Sequence, residues 1–255
     1  MSPSDLPPRM YGPFTIVSGT GFFEYFLPLM AILGDIVEIH HRKNHPRFGG
    51  LGCSHTVTAV ADMLLNSERS LENLSNQSIQ VPSPMDTLPV NSTEHISLSG
   101  TPSSSQAVET RKQLVIAYSS HIIHVLYVLL YGKWDALAML DDEDDWITSP
   151  QFVKCASHAI AASHAVLRIL QLDPELMFMP YLFGIYLLHG SFILLLFADR
   201  MPQLGPNESV EQACETIIRA HEVCVVTLST EFQVRSYLPM MSLGHGDKIC
   251  YSLTL

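Results

Sequence analysis

Apolar positions recur near the helical period through most of this chain. Over residues 22–42, FFEYFLPLMAILGDIVEIHHR, they fall at Phe22, Phe26, Leu29, Leu33, Ile36 and Val37, one side of a helix. Gly19-Thr20-Gly21-Phe22 reads as a turn into that helix. Pro28 predicts a kink or a later start, because proline brings no N–H to a helix interior. The basic run HHRKNHPR lies at the C-terminal end, where the helix dipole favours cations. The pattern resumes from about 108 to 140, with Gly132 ending one helix and Trp134–Leu140 forming a shorter one. Ser149-Pro150 has the form of an N-cap followed by proline at the first helical position. The helix that follows runs to about 171 and has Phe152, Ala156, Ala159, Ile160, Val166, Leu167 and Leu170 on one face. Asp173-Pro174-Glu175 predicts another start, of a helix apolar all round that ends near Asp199-Arg200. The last clear helix covers about 208–232, with a stripe of Val210, Cys214, Ile217, His221, Cys224/Val225 and Leu228. No segment alternates as a strand does. The fold class is all-α, with five or six main helices.

One stretch breaks the pattern. Residues 66–107 are rich in Ser, Asn, Thr and Pro, and their few apolar residues show no helical period. This composition predicts a long disordered insert. Two other stretches, 113–131 and 176–198, contain no charged residue and are long enough to span a bilayer. A small helical membrane protein is therefore the alternative reading. Buried central helices are also apolar all round, and Ser119, Ser120, His121 and His124 interrupt one run as Pro180, Gly184, His189 and Gly190 interrupt the other. The soluble reading, with no membrane partner, is preferred.

Charge and composition narrow the picture. The 255 residues carry 14 Lys+Arg against 25 Asp+Glu, a formal net charge of -11, with 47% hydrophobic and 15% charged residues. That balance excludes a wholly disordered chain and argues against phosphate-neutralising contacts with nucleic acid. Five cysteines, with no CxxC among them, disfavour a disulfide framework and a cysteine zinc cluster. Those at 155, 214 and 224 read as small core residues. The N-terminus has no basic and apolar pattern of a signal peptide.

Candidate chemistry is sparse. His121 and His124 lie one turn apart, as do Asp35 and Glu38, with His40-His41 beyond them. No HExxH, GxSxG, Walker A loop or GxGxxG occurs, so there is no positive case for an enzyme and no metal is assigned. The acidic run Asp141–Asp145 ending at Trp146 could dock a partner, but reads better as a solvated loop. Ala156, Ala159, Ala162 and Ala165 are more informative, since small side chains let helices approach closely and an enlarged one overpacks the contact. They are the candidate regulatory packing residues.

Residues 10–49, MYGPFTIVSGTGFFEYFLPLMAILGDIVEIHHRKNHPRFG, together with GKWDALAMLDDEDDWITSPQFV at 132–153, MPYLFGIYLLHGSFILLLFADR at 179–200 and ACETIIRAHEVCVVTLSTEFQ at 213–233, carry a resemblance. They resemble the xylanolytic transcriptional activators of filamentous fungi, a branch of the binuclear zinc-cluster transcription factors. The similar part is the helical regulatory region, the middle homology or fungal-specific transcription factor domain, here 10–233 with the insert at 66–107. The resemblance implies a non-catalytic nuclear regulator of genes for xylan- and cellulose-degrading enzymes. It implies a pentose-derived inducer and transcriptional co-regulators as partners. It also implies promoter DNA bound only through an N-terminal six-cysteine zinc cluster that this sequence does not contain, so no cofactor is expected in this chain. Residues 1–9 are expected to be a disordered N-terminus. The tail 234–255 departs from the family and lacks helical periodicity, as a truncated gene product or a retained intron after Gln233 would produce.

Overall fold

The computed structural model describes residues 15–47, 54–76, 104–135, 139, 145–204 and 207–242. Six α-helices fill them: α1 Phe22–Lys43, α2 Ser54–Asn76, α3 Ser104–Tyr131, α4 Pro150–Leu172, α5 Pro180–Leu204 and α6 Glu208–Ser242, with a 3-10 turn at Trp146–Thr148 before α4. No strand occurs among the described residues, as the all-α reading expects. The third helix is central. It packs against α1, α2, α4 and α5, while α6 closes the far side against α4 and α5.

The first helix begins where its sequence pattern begins. Gly21 is its N-cap, in extended conformation, and the Glu24 carboxylate accepts the Gly21 N–H at 2.8 Å. This is one half of a capping box. The helix runs through Pro28, which is buried, so the start is not displaced. Proline cannot bond to the carbonyl four residues back. That carbonyl belongs to Glu24, and it accepts instead from the N–H of Ser18 at 3.1 Å. The lost intrahelical bond is replaced by one that fastens the preceding segment, whose Val17 is buried.

The second helix corrects the boundary expected for the insert. Residues 66–76 are the second half of α2. Its buried positions are Val60, Leu64, Ser67 and Leu71, spaced four, three and four residues apart as one helix face requires. The periodicity is invisible from residue 66 onward because the stripe starts before it and one member is a serine. Ser67 is accommodated by donating to the carbonyls of Thr15 at 2.8 Å and Met63 at 3.1 Å. At the other end, Lys112 of α3 donates to the Ser75 carbonyl at 3.2 Å, placing a cation at the negative end of α2. At its other end the expected insert is again helical, since residues 104–107 open α3; the remainder, 77–103, lies outside the described residues, as do 1–9 and 243–255.

The turn at Gly132 is as expected. Its N–H bonds to the Val128 carbonyl at 2.8 Å, and a Cβ there would meet that same oxygen at 2.5 Å. Of the short helix expected over Trp134–Leu140, Met139 donates to the Asp135 carbonyl at 3.0 Å. Residues 136–138 and 140 lie outside the described residues. Ser149 caps α4 as predicted, accepting the Phe152 N–H at 3.2 Å with Pro150 at the first helical position.

Asp173-Pro174-Glu175 is not a helix start: α5 begins at Pro180. Asp173 instead terminates α4, its N–H bonding to the Ile169 carbonyl at 2.7 Å. Its carboxylate accepts from Met177 N–H, Phe178 N–H and the Tyr118 hydroxyl, each at 3.0 Å. Acceptor-rich Asp is as suited to holding a loop as to capping a helix. The loop it holds carries Leu176, buried at φ 53°, a left-handed conformation that costs a non-glycine residue about 1–2 kcal/mol. Thr227 of α6 donates to the Glu175 carbonyl at 2.6 Å and fixes the loop from the other side.

The last helix is rotated from its expected stripe. The buried positions are Val210, Ala213, Thr216, Ile217, Ala220, Cys224 and Thr227, while Val225 is exposed. Large apolar residues suggested the face, but small ones occupy the contact with α4 and α5. The helix also continues to Ser242, through the first nine residues of the tail expected to lack periodicity.

Candidate functional site

The four alanines singled out in the sequence are all buried on α4. Ala159 and Ala162 lie on a row with Cys155, Val166 and Ile169, spaced four and three residues apart, and Ala156 and Ala165 flank it. The facing helix is α3, and the cross-links between the two run in antiparallel order. Cys155 Sγ meets the Val128 carbonyl at 3.6 Å. His121 donates its Nδ1–H to the Ala162 carbonyl at 3.3 Å, and Arg168 donates to Gln113 at 3.2 Å. Direct contact of side chains with backbone carbonyls requires the helices to be close, which only small residues permit. Three of the five cysteines are described, and all are free. They sit singly at 155, 214 and 224, so the described residues do not fit a six-cysteine zinc cluster.

The two histidines of α3 have separate fates. His121 is fully buried and tilted against the Phe183 ring at 5.2 Å. Burial pushes its pKa down to about 4, with the Ala162 carbonyl partly opposing. Its Nε2 and the nearby Ser119 Oγ have no hydrogen-bond partner among the described residues. His124 faces the other way, toward α2 and α4. Its Nδ1 is 3.3 Å from Nδ1 of His158 and 3.7 Å from Oε1 of Glu68. Burial lowers His124 and His158 to about 4, helped by the neighbouring imidazoles at His124 and by Lys154 at His158. Burial also raises Glu68, with Glu72 adding repulsion. With its imidazole neutral, the His124–Glu68 approach is a polar contact and not an ion pair. The Tyr127 ring stacks on His158 at 4.0 Å and 12°.

His40, in the last turn of α1, serves α3. His40 donates Nε2–H to the Leu129 carbonyl at 3.1 Å, and Trp134 donates to the same carbonyl at 2.9 Å while stacking on the His40 ring at 4.0 Å. Together they satisfy a carbonyl in the last turn of α3 that its own helix leaves open. Glu38 is spent on an exposed ion pair with Arg42 at 2.8 Å. Beside this cap lies a cavity of about 310 Å³ between α1, α3 and α5, walled by Leu33, Val37, Leu129, Trp134, Tyr186 and His189 among others. Nothing in the sequence pattern points to it, because its walls come from three separate helices. Of the acidic run, 141–144 lie outside the described residues. Trp146 is buried edge-on against Phe152 at 5.1 Å, so it roofs α4 and is not displayed to a partner.

Sequence comparison gives this arrangement relatives. The chain is 45% identical to the xylanolytic transcriptional activator xlnR of Aspergillus fumigatus across 245 aligned positions, covering 88% of this chain and 25% of the relative. The same activator of Aspergillus niger is 45% identical over 242 positions, and that of Emericella nidulans 44% over 237, again across 88% of this chain. No family model and no solved structure matches. The chain spans about a quarter of the length of the curated relatives it matches. Over most of its own length, this helical assembly is therefore similar to one quarter of a fungal xylanolytic transcriptional activator.

Proposed function

We propose that this chain is a non-catalytic regulatory part of a fungal transcriptional activator, working in the nucleus on genes for xylan- and cellulose-degrading enzymes. The observation that carries this reading is the 45% identity maintained over 88% of the chain. Promoter DNA would be reached through a zinc-cluster domain elsewhere in the activator, since the excess of acid over base in this part suits neither phosphate nor base contacts. Regulation would act by repacking across the α3–α4 seam, where Ala156, Ala159, Ala162 and Ala165 make the fit sensitive to single methyl groups. A pentose-derived inducer would take the cavity between α1, α3 and α5, where the Trp134 ring offers a stacking face and Lys133 and His189 offer polar contacts. Pockets between helices of a bundle are the usual seats for such ligands.

The test replaces the matching segment of a xylanolytic activator with this chain and reads a xylanase-promoter reporter with and without D-xylose. An inducer-dependent reporter is expected. Ala162→Val should change the ratio of induced to uninduced signal, and Leu195→Ala, on the exposed side of α5, should leave it unchanged. A chimera that responds identically with and without inducer, while expressed and folded, sinks the reading.

A further inference from the structure

Three helices each bring one metal-ligating side chain to a common point that the regulatory reading does not use. Glu68 comes from α2, His124 from α3 and His158 from α4, and one ligand atom from each lies within 4.8 Å of the other two. The two imidazole nitrogens are 3.3 Å apart. A zinc ion bound tetrahedrally, about 2.0–2.1 Å from each nitrogen, sets its ligand atoms about 3.3–3.4 Å apart. The pair therefore already has the edge length of such a tetrahedron. The carboxylate oxygen lies 3.7 Å from His124 Nδ1, and a Glu68 oxygen lies within 4.8 Å of a His158 nitrogen, so the carboxylate closes the set by a side-chain adjustment.

We propose that Glu68, His124 and His158 form a site for a divalent transition metal of the zinc class, clipping α2 to the α3–α4 pair. Two imidazoles and one carboxylate suit that class of ion better than magnesium or calcium, which take oxygen ligands. Side-chain exposures of 20% for His124 and 29% for Glu68 leave an entry path and room for a water as fourth ligand, the pattern of an open zinc site. The surroundings favour a cation. Glu72 acts on Glu68, and Glu68 and Asp62 together act on Tyr127, against Lys154 beside His158 on α4 and the His121 and His164 rings beside His124. Stacking on Tyr127 fixes the plane of His158, the orienting role that outer groups play around metal ligands. Without an ion, the facing Nδ1 atoms make at most one hydrogen bond, with one ring as donor and the other as acceptor.

The full chain, freed of metal with a chelator and dialysed against Zn²⁺, should retain one ion per chain and unfold at a higher temperature in proportion to occupancy. Co²⁺ in its place should show the visible d–d bands of a four-coordinate centre. Glu68→Gln and His158→Gln should each weaken Zn²⁺ binding by about tenfold or more and lose those bands. His164→Ala, an exposed histidine of α4 outside the triad, should change neither. Retention of no metal, or equal retention by wild type, Glu68→Gln and His158→Gln, overturns the proposal. The latter result would place the ion on surface histidines such as His41, His45 or His55. If His158→Gln does not fold, Glu68→Gln decides alone, with circular dichroism confirming its helix content.

Discussion

Helices α3 and α5 carry the same kind of sequence and sit in different surroundings. Both are long and apolar enough to cross a membrane, α5 the shorter and slightly more apolar of the two, yet 67% of the α3 window is buried inside the protein and only 44% of the α5 window. Four helices surround α3. Helix α5 packs chiefly on α3, α4 and α6, reaches α1 through Tyr186 and Met30, and turns Tyr181, Leu188 and Leu195 outward. An uncharged run therefore reports that a segment avoids water on average, and says little about how many sides are covered. The difference shows in the polar residues each helix tolerates. In α3, Tyr118 and His121 are bonded to α4 or the loop after it. In α5, His189 folds back onto its own helix, donating to the Ile185 carbonyl at 2.8 Å.

The sharpest way to break this contrast is paired truncation. Leu126→Ala in α3 removes a side chain with no exposed surface and should cost about 2–5 kcal/mol. Leu195→Ala in α5, 59% exposed, should stay within about 0.5 kcal/mol. Urea unfolding of both variants measures the difference, and equal losses would mean that α5 is as enclosed as α3.

Acid supplies a second probe of α3. The folded pKa of His121 is about 4 against an ordinary value of 6.5, so between those values the unfolded chain binds more protons. The contribution is intact above pH 6.5 and is lost as pH falls toward 4, by about 3 kcal/mol in all. His124 and His158 shift in the same direction and steepen the loss. Unfolding midpoints measured from pH 7 to pH 4 should fall steeply, and His121→Leu should flatten the slope by one histidine's share. A profile unchanged by that substitution would show that the ring is hydrated in the folded state.

A smaller effect tests the seam itself. Ala162→Val adds two methyl groups at a position only 1% exposed, beside the carbonyl that receives His121, and should cost about 1–3 kcal/mol. Thermal unfolding reads it directly. A neutral result would mean that α3 and α4 have slack between them.

What the sequence made readable follows from where its signals are local. Ser149-Pro150 marks the start of α4 because a cap needs only adjacent residues, and Gly132 marks the end of α3 for the same reason. Asp173-Pro174-Glu175 misleads because an aspartate before proline has the same form whether it opens a helix or closes one. Here its carboxylate is committed to Tyr118, 55 residues away in the chain. The alanines announce a close contact without naming the partner, which depends on the register of α3. The Glu68–His124–His158 cluster lay beyond reach. Its glutamate falls in a stretch whose composition reads as disorder, and its two histidines meet only once α3 and α4 are aligned antiparallel.

Pro28 has a consequence for the route of the chain. In an isolated helix it is a defect, one hydrogen bond short. In this molecule the unspent Glu24 carbonyl is an anchor, and the backbone arriving from residues 15–18 is tied to it through Ser18. Ser67 of α2 holds the same stretch through Thr15. A residue that weakens its own helix thereby fixes where residues 15–18 lie, fastened to α1 at one end and to α2 at the other.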